Sequence, residues 1–247
     1  MLRPVAVGGW ASGRLVGFDI ETTGLDVERD EPVSYAFVEF DGGVRTHLEH
    51  GYVLPARAIS NGAAAVHGLR RRRLVALGAA AVDVAARAIA ARLVALSAAG
   101  VPVVGCNLTY DLTIVDRMLL RCDPATSLRG EGWCGPALDV LVLDRALDPD
   151  FDERPARRLE ALCAHYHLDP PAHTAVTDAE AAVRVLLSQA VAYGPLHSSS
   201  LTELQARQVE WHAAWSTERA ARREIVGQAA LFEDDEAWPY VERVGAR

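Results

Sequence analysis

Residues 15–26, reading LVGFDIETTGLD, restrict this chain more than any other stretch. Val16, Phe18 and Ile20 recur with period two, the pattern of a buried strand. Asp19 and Glu21 stand two apart at its end, so a strand points both carboxylates to one face. Two anions held side by side repel, and burial raises their pKa values further unless a cation neutralises them. A pair of divalent cations resolves the conflict, and Mg²⁺ prefers carboxylate oxygens. Thr22, Thr23 and Gly24 then break the strand and leave a tight turn beside the carboxylates. A D-x-E by itself equally fits strand-end residues reaching solvent, so the remainder of the chain has to decide.

Downstream, 33–40 (VSYAFVEF) predicts a second strand, Asp41-Gly42-Gly43 a hairpin turn, and 44–54 the third strand of an antiparallel meander. A short helix is expected over 59–69, followed by four arginines, Arg70 to Arg73. That run reads either as a solvated helix start or as a phosphate-contacting patch. Ala79 to Ala99 predicts an alanine-rich helix with Val82, Ala86, Ile89, Leu93 and Leu96 on one face, stopped by Gly100. Val101 to Cys106 follows as a buried fourth strand, and Asn107 to Arg121 as a helix with Leu112, Val115, Leu119 and Leu120 facing the core. Ala137 to Leu147 should begin as a fifth strand, Arg157 to Tyr166 as a short helix. Thr177 to Tyr193 predicts a strong helix, capped by Thr177 with Glu180 three residues on. Three meandering strands followed by alternating helix and strand imply an α/β fold, a mixed sheet with helices on its faces.

At 247 residues, half of them hydrophobic, the chain fits one large domain or a domain with an appendage. No apolar run approaches the roughly 20 residues of a membrane span, and MLRPVAVGGW lacks the apolar core of a secretory signal. Cys106, Cys122, Cys134 and Cys163 form no C-x-x-C pair, which suits reduced thiols in a cytoplasmic protein. The net charge is −8, and all 25 basic residues are arginine. That balance argues against tight, non-specific duplex binding. It does not argue against a nuclease, because bound cations reverse the local sign at a carboxylate cluster.

Two further stretches supply carboxylates. Asp111 in NLTYD falls in the first turn of the helix after the fourth strand, where an Asp can simply complement the helix dipole. Asp178, with His173 before it in HTAVTD, lies at the junction into the last domain helix, and each has an equally plain structural use. Their order changes the balance. D-x-E on a first strand, N-x-x-x-D after a fourth and H-x-x-x-x-D before the last domain helix resemble the DEDDh branch of the DEDD 3′–5′ exonucleases. This is the DnaQ-like family, which includes polymerase proofreading subunits (the epsilon subunit of bacterial DNA polymerase III) and RNase T. FDIETTGLD is similar to its first motif, AVHGL at 65–69 to its V-H-G-[IL] segment, NLTYDLTIVDRML to its second motif and HTAVTDAEAAVRVL to its third. The resemblance covers about 15–193 and implies an RNase H-like fold with a five-stranded mixed sheet, the first strand central.

By that resemblance, Asp19, Glu21, Asp111 and Asp178 hold two Mg²⁺ or Mn²⁺ ions, which clamp the attacking and leaving oxygens of a phosphoryl displacement. Asp19 would bridge both ions, Glu21 and Asp178 complete the first site, and Asp111 hold the second. His173 would be the general base; histidine is the side chain whose ordinary pKa suits proton removal near neutrality. The expected reaction is metal-dependent release of nucleoside 5′-monophosphates from single-stranded 3′ ends, DNA preferred. An RNA-trimming enzyme of the same family and an accessory module binding 3′ ends or a sliding clamp are the alternatives. The family also implies that Thr22, Thr23 and Gly24 grip the terminal nucleotide, that Leu25 wedges against its base, and that His67 and Asn107 lie near its sugar and phosphate. Cys106 stands where the second motif usually has His, which implies altered substrate positioning with the chemistry retained.

Beyond Gly194-Pro195 the composition changes, dividing the chain into an exonuclease domain, 1–195, and a C-terminal helix and acidic tail, 196–247. A polar helix is expected over 201–226 with Leu204, Val209, Trp211 and Trp215 as apolar contacts. Gln228 to Phe232, QAALF, resembles the segment by which bacterial replication proteins dock on the sliding clamp, through Gln228, Leu231 and Phe232. It fits better a tail folded on its own domain, with Trp238 and Pro239 as anchors.

Overall fold

The computed structural model describes residues 9–148, 158–225, 228 and 235–241. Its centre is a six-stranded mixed sheet in the order β4-β3-β2-β1-β5-β6. β1 (Arg14–Thr22), β2 (Pro32–Asp41) and β3 (Val44–Leu54) form the antiparallel meander. Gly42 and Gly43, at φ 58° and 77°, make its two-residue link, as a tight hairpin requires. On the other side of β1, β5 (Val103–Gly105) and β6 (Ala137–Asp139) run parallel to it. The sixth strand, β4 (Ala80–Ala81), pairs with Val53 and Leu54 and replaces the predicted start of the alanine-rich helix. The sheet therefore has six strands, one more than the sequence suggests, because a two-residue strand leaves no periodicity to read.

Helices cover both faces. On one, α3 (Val82–Ala98) and α4 (Leu108–Cys122) enclose Val16, Phe18, Ile20 and Phe37 with Ile89, Leu93, Leu112 and Met118. On the other, α5 (Val140–Leu147), α6 (Leu159–His165), α7 (Ala175–Ala192), α8 (Gly194–Ser198) and α9 (Leu201–Ile225) surround Leu15, Ala36, Val38 and Val104. Two short helices follow β3, α1 (Asn61–His67) and α2 (Arg71–Ala76). The arginine run is thus the start of an exposed helix, with Arg71 Nη1 donating to the Pro55 carbonyl at 2.6 Å.

Three local expectations are corrected. The run after Asp139 is helix, not strand: the Asp139 carboxylate accepts the Leu141 N–H and starts α5. Residues 140–144 are buried throughout, so their apolar run carries no period to separate helix from strand. The capping box of α7 sits three residues earlier than predicted, between Thr174 and Thr177. Glu180 instead pairs with Arg45 and Arg184. On α9, Val209 is exposed, and the buried line is Leu204, Gln208, His212 and Ser216. Its polar members are buried because they hydrogen bond to the sheet edge and to the tail. Gln205 Oε1 accepts the Ala137 N–H of edge strand β6 at 2.7 Å, and Gln208 bonds to the same edge. Trp238 and Tyr240 pack into the core on the α3–α4 face, Tyr240 beside Trp133. Among the described residues no helix is long and apolar enough to cross a membrane.

Candidate active site

The site forms at the carboxyl end of β1, where its antiparallel partner lies on one side and parallel β5 stops at Gly105 on the other. Leu15, Gly17, Asp19 and Glu21 share the face covered by α7, as period two requires. Gly17 sets how close α7 comes. A Cβ there would lie 2.2 Å from the Ala179 carbonyl oxygen, so only glycine admits the helix. Asp178, one residue before that contact, is thereby brought beside the strand pair. Ligand oxygens of Asp19, Glu21 and Asp178 all lie within 4.8 Å of one another.

Asp111 arrives from the opposite helical layer, in the first turn of α4, and is 4% exposed. The Ile20 backbone, beyond the end of β5, partly offsets the rise in its pKa. It stands outside the three-residue ring but close enough to Asp19 to act on its charge. The electrostatics follow from this crowding. Burial, then Asp111, Asp178 and Glu21, push the Asp19 pKa well above the carboxylate range. Burial and Asp178 push Glu21 up to about 8. Burial, foremost, raises Asp111 and Asp178, the second being partly offset by Thr177 and His173. Clustered carboxylates, of which Asp19 and Glu21 are raised by the charges of the others, form a donor set that suits hard divalent cations.

His173 stands just ahead of α7 with its backbone in the left-handed region, φ 52°. Its Nδ1 lies 3.3 Å from Glu160 Oε1, on α6. Glu160 is a partner that sequence reasoning missed; nothing in LEALCAH marks it. Asp139 was missed too, hidden in a run read as strand. Its buried carboxylate accepts backbone N–H groups from Asn107 and Leu108 at 3.0 and 2.8 Å, at the start of α4.

The turn after β1 is tied together by its own side chains. Thr22 Oγ1 donates to the Gly24 carbonyl at 2.7 Å and meets the Tyr110 hydroxyl at 2.8 Å. Thr23, 1% exposed, donates to Asp30 at 2.5 Å. A Cβ on Gly24 would lie 2.6 Å from Asp30 Oδ2, so a side chain there would push the Asp30 carboxylate off Thr23 and Asp26. Both threonine hydroxyls thus build the turn. His67 is likewise engaged: Nδ1 accepts the Leu69 N–H, so Nε2 carries the proton and donates to the Thr22 carbonyl at 3.1 Å. Burial lowers its pKa. Leu25, by contrast, is 86% exposed and projects from the rim. Asn107 takes the left-handed conformation, φ 68°, with no capping bond from its side chain. Cys106, in place of the usual His, is a thiol pushed well up by burial and by Asp139. Gln228 is exposed; Leu231 and Phe232 of the clamp-like segment lie outside the described residues.

Residues 16–186 match the model of the RNase T family, described as exonuclease. No match is found among curated proteins. Similar solved structures include Escherichia coli exonuclease I in complex with a dT13 oligonucleotide, at 21% identity and a TM-score of 0.58 over 71% of this chain and 40% of that one. Exonuclease I from Methylocaldum szegediense gives 22% and 0.61, over 82% and 45%. An ExoI/SSB-Ct complex gives 18% and 0.60, over 85% and 46%. At these identities the likeness is one of fold, and the chain spans less than half the length of each structure.

Proposed function

The chain belongs to the RNase T family of exonucleases, and from that premise we propose that it removes nucleotides from the 3′ end of single-stranded DNA by divalent-metal-dependent hydrolysis. The observation that carries this reading is the ring of Asp19, Glu21 and Asp178 oxygens within 4.8 Å, with Asp111 beside Asp19. Four carboxylates repelling one another in a buried site suit two cations better than one, and those four residues would hold them. Bound there, divalent cations supply charge neutralisation for the phosphate and acidify a coordinated water.

The chain's own residues supply the rest. His173 takes the proton of the attacking water at Nε2, while Glu160 on Nδ1 holds the ring in orientation and steadies the positive charge it gains. Leu25, exposed at the rim, inserts beside the terminal base. The Thr22–Tyr110–Gly24 hydrogen bonds and the His67 contact to Thr22 fix the turn against which that nucleotide rests. The gripping role passes in this way from the threonine hydroxyls to the backbone they shape. Asn107, at the start of α4, serves the terminal sugar and phosphate. The products are nucleoside 5′-monophosphates.

The oligonucleotides bound to E. coli exonuclease I are single-stranded deoxy chains, which favours DNA over RNA as the substrate. Matched, 5′-labelled DNA and RNA oligonucleotides, incubated with Mg²⁺, Mn²⁺ or EDTA beside an Asp19→Ala control, test all of this together. Metal-dependent shortening of the DNA from its 3′ end, absent in the control, is expected. Shortening of RNA alone would transfer the assignment to RNA trimming, and degradation that persists in EDTA would end the metal reading.

A further inference from the structure

The polar face of α9 is tied by hydrogen bonds to β6 and, through Asp139, to the start of α4, the helix that carries Asp111. Gln208, fully buried, uses both ends of its amide on edge strand β6. Oε1 accepts the Asp139 N–H at 2.8 Å, and Nε2 donates to the Ala137 carbonyl at 3.1 Å and to Leu204 of its own helix at 3.2 Å. An additional strand would have supplied the same pair of β6 bonds. Asp139 in turn is 1% exposed and holds three backbone donors. Oδ1 accepts from Asn107 at 3.0 Å and Leu141 at 2.9 Å, and Oδ2 accepts from Leu108 at 2.8 Å. One carboxylate thus joins the first turns of α4 and α5. Asn107 is left-handed and has no side-chain cap of its own, so Asp139 is what fixes the start of α4. Asp111 stands in that turn.

From this geometry we infer that Asp139 and Gln208 are positioning residues for Asp111, which makes α9 a working part of the cation site. This rests on the assignment of Asp111 as a ligand made above. A carboxylate ligand contributes only while its oxygens stay within a few tenths of an ångström of their place, and the groups behind a ligand typically govern affinity about 10-fold to 100-fold. Removing Gln208 leaves the Asp139 N–H and the Ala137 carbonyl unpaired in a buried place, and β6 shifts to find partners. Asp139 moves with β6, and the α4 turn moves with Asp139. Gln205 supplies the contrast. It sits on the same helix and bonds the same strand, but to Ala137, two residues farther from the carboxylate that carries the coupling.

The test is direct Mn²⁺ binding to the full-length protein without substrate, followed by electron paramagnetic resonance of the free ion. Parent, Asp19→Ala, Asp139→Asn, Gln208→Met and Gln205→Met are compared, each with its melting temperature and its kcat and KM on a DNA oligonucleotide. Asp139→Asn and Gln208→Met are expected to raise the half-saturating Mn²⁺ concentration, by about 10-fold or more. Their kcat should fall at limiting metal and recover at high metal, with KM unchanged. Gln205→Met should lose melting temperature and keep its Mn²⁺ affinity. Equal Mn²⁺ affinity in Gln208→Met and Gln205→Met would overturn the inference and leave Gln208 a purely structural contact. If Asp139→Asn does not fold, the Gln208→Met and Gln205→Met comparison decides alone. Equal binding by parent and Asp19→Ala would instead bring down the cation-site reading on which the inference rests.

Discussion

Asp19 and Glu21 show how a residue's position turns into chemistry. Each is ordinary in isolation; together, on one face and walled by Asp111 and Asp178, they resist ionising. Glu21 has an ordinary pKa of 4.5 and is raised to about 8 by burial and Asp178. The unfolded chain therefore gives up this proton near its ordinary value and the folded chain only near 8. Between the two the folded state holds more protons, so its stability falls as pH rises through that window. In EDTA the melting temperature is expected to drop between pH 5 and pH 9, and Glu21→Gln should flatten the drop. Mg²⁺ should restore stability most at the alkaline end and release protons as it binds, which calorimetry in buffers of different ionisation enthalpy would detect. A second prediction belongs to His173. His173→Ala should lower kcat by about 10²- to 10⁴-fold, with Mn²⁺ binding retained; a loss of Mn²⁺ binding in step with kcat would mean that the ring serves the metal centre and not the proton.

Among the elements, α7 has the most depending on its placement. It is started by the Thr174–Thr177 box and seated by Gly17, whose missing side chain lets the Ala179 carbonyl approach the strand. Gly17→Ala puts a methyl group into backbone that cannot yield as a side-chain tip does. We expect a loss of about 1–3 kcal/mol from overpacking, and with it a loss of activity and Mn²⁺ affinity, because Asp178 travels with the helix. A denaturant melt alongside Mn²⁺ titration checks both, and a variant of parental Mn²⁺ affinity would show that α7 is not what places Asp178. Thr174→Ala removes only the cap and should cost about 1 kcal/mol.

At the scale of the molecule, the C-terminal region is built into the domain and not merely attached to it. α9 closes the β6 edge with Gln205 and Gln208, and the chain returns to bury Trp238 and Tyr240 against the α3–α4 layer, with the Val241 N–H donating to Thr113 Oγ1 at 3.0 Å. Trp238→Ala should therefore destabilise the whole protein by about 3–5 kcal/mol, the usual range for a buried tryptophan, as read from a denaturant melt. A chain ending at 195 bares an edge strand and the apolar ground beneath Leu204, and it should be recovered as aggregate. Its recovery as a stable, active monomer would show that the division at 195–196 is a true domain boundary.

The sequence alone determined the meander and the mixed α/β sheet, and it singled out Asp19, Glu21, Asp111, His173 and Asp178 as the candidate site. Strand alternation and the spacing of acids from strand ends are local facts, and local facts survive in one dimension. The helix over 140–147 was not legible, because a segment buried on every side has no polar face to mark its period. Nor were the two-residue β4, the earlier cap of α7, or the engagement of Thr22, Thr23 and His67 in building their own turn. Glu160 and Asp139 were silent for the same reason: their partners, His173 and the start of α4, lie 13 and about 30 residues away. Which polar groups meet across such gaps depends on how the two helical layers close on the sheet. Gly17 permits the closest of those approaches, and the buried hydrogen bonds of Asp139 and Gln208 fix another.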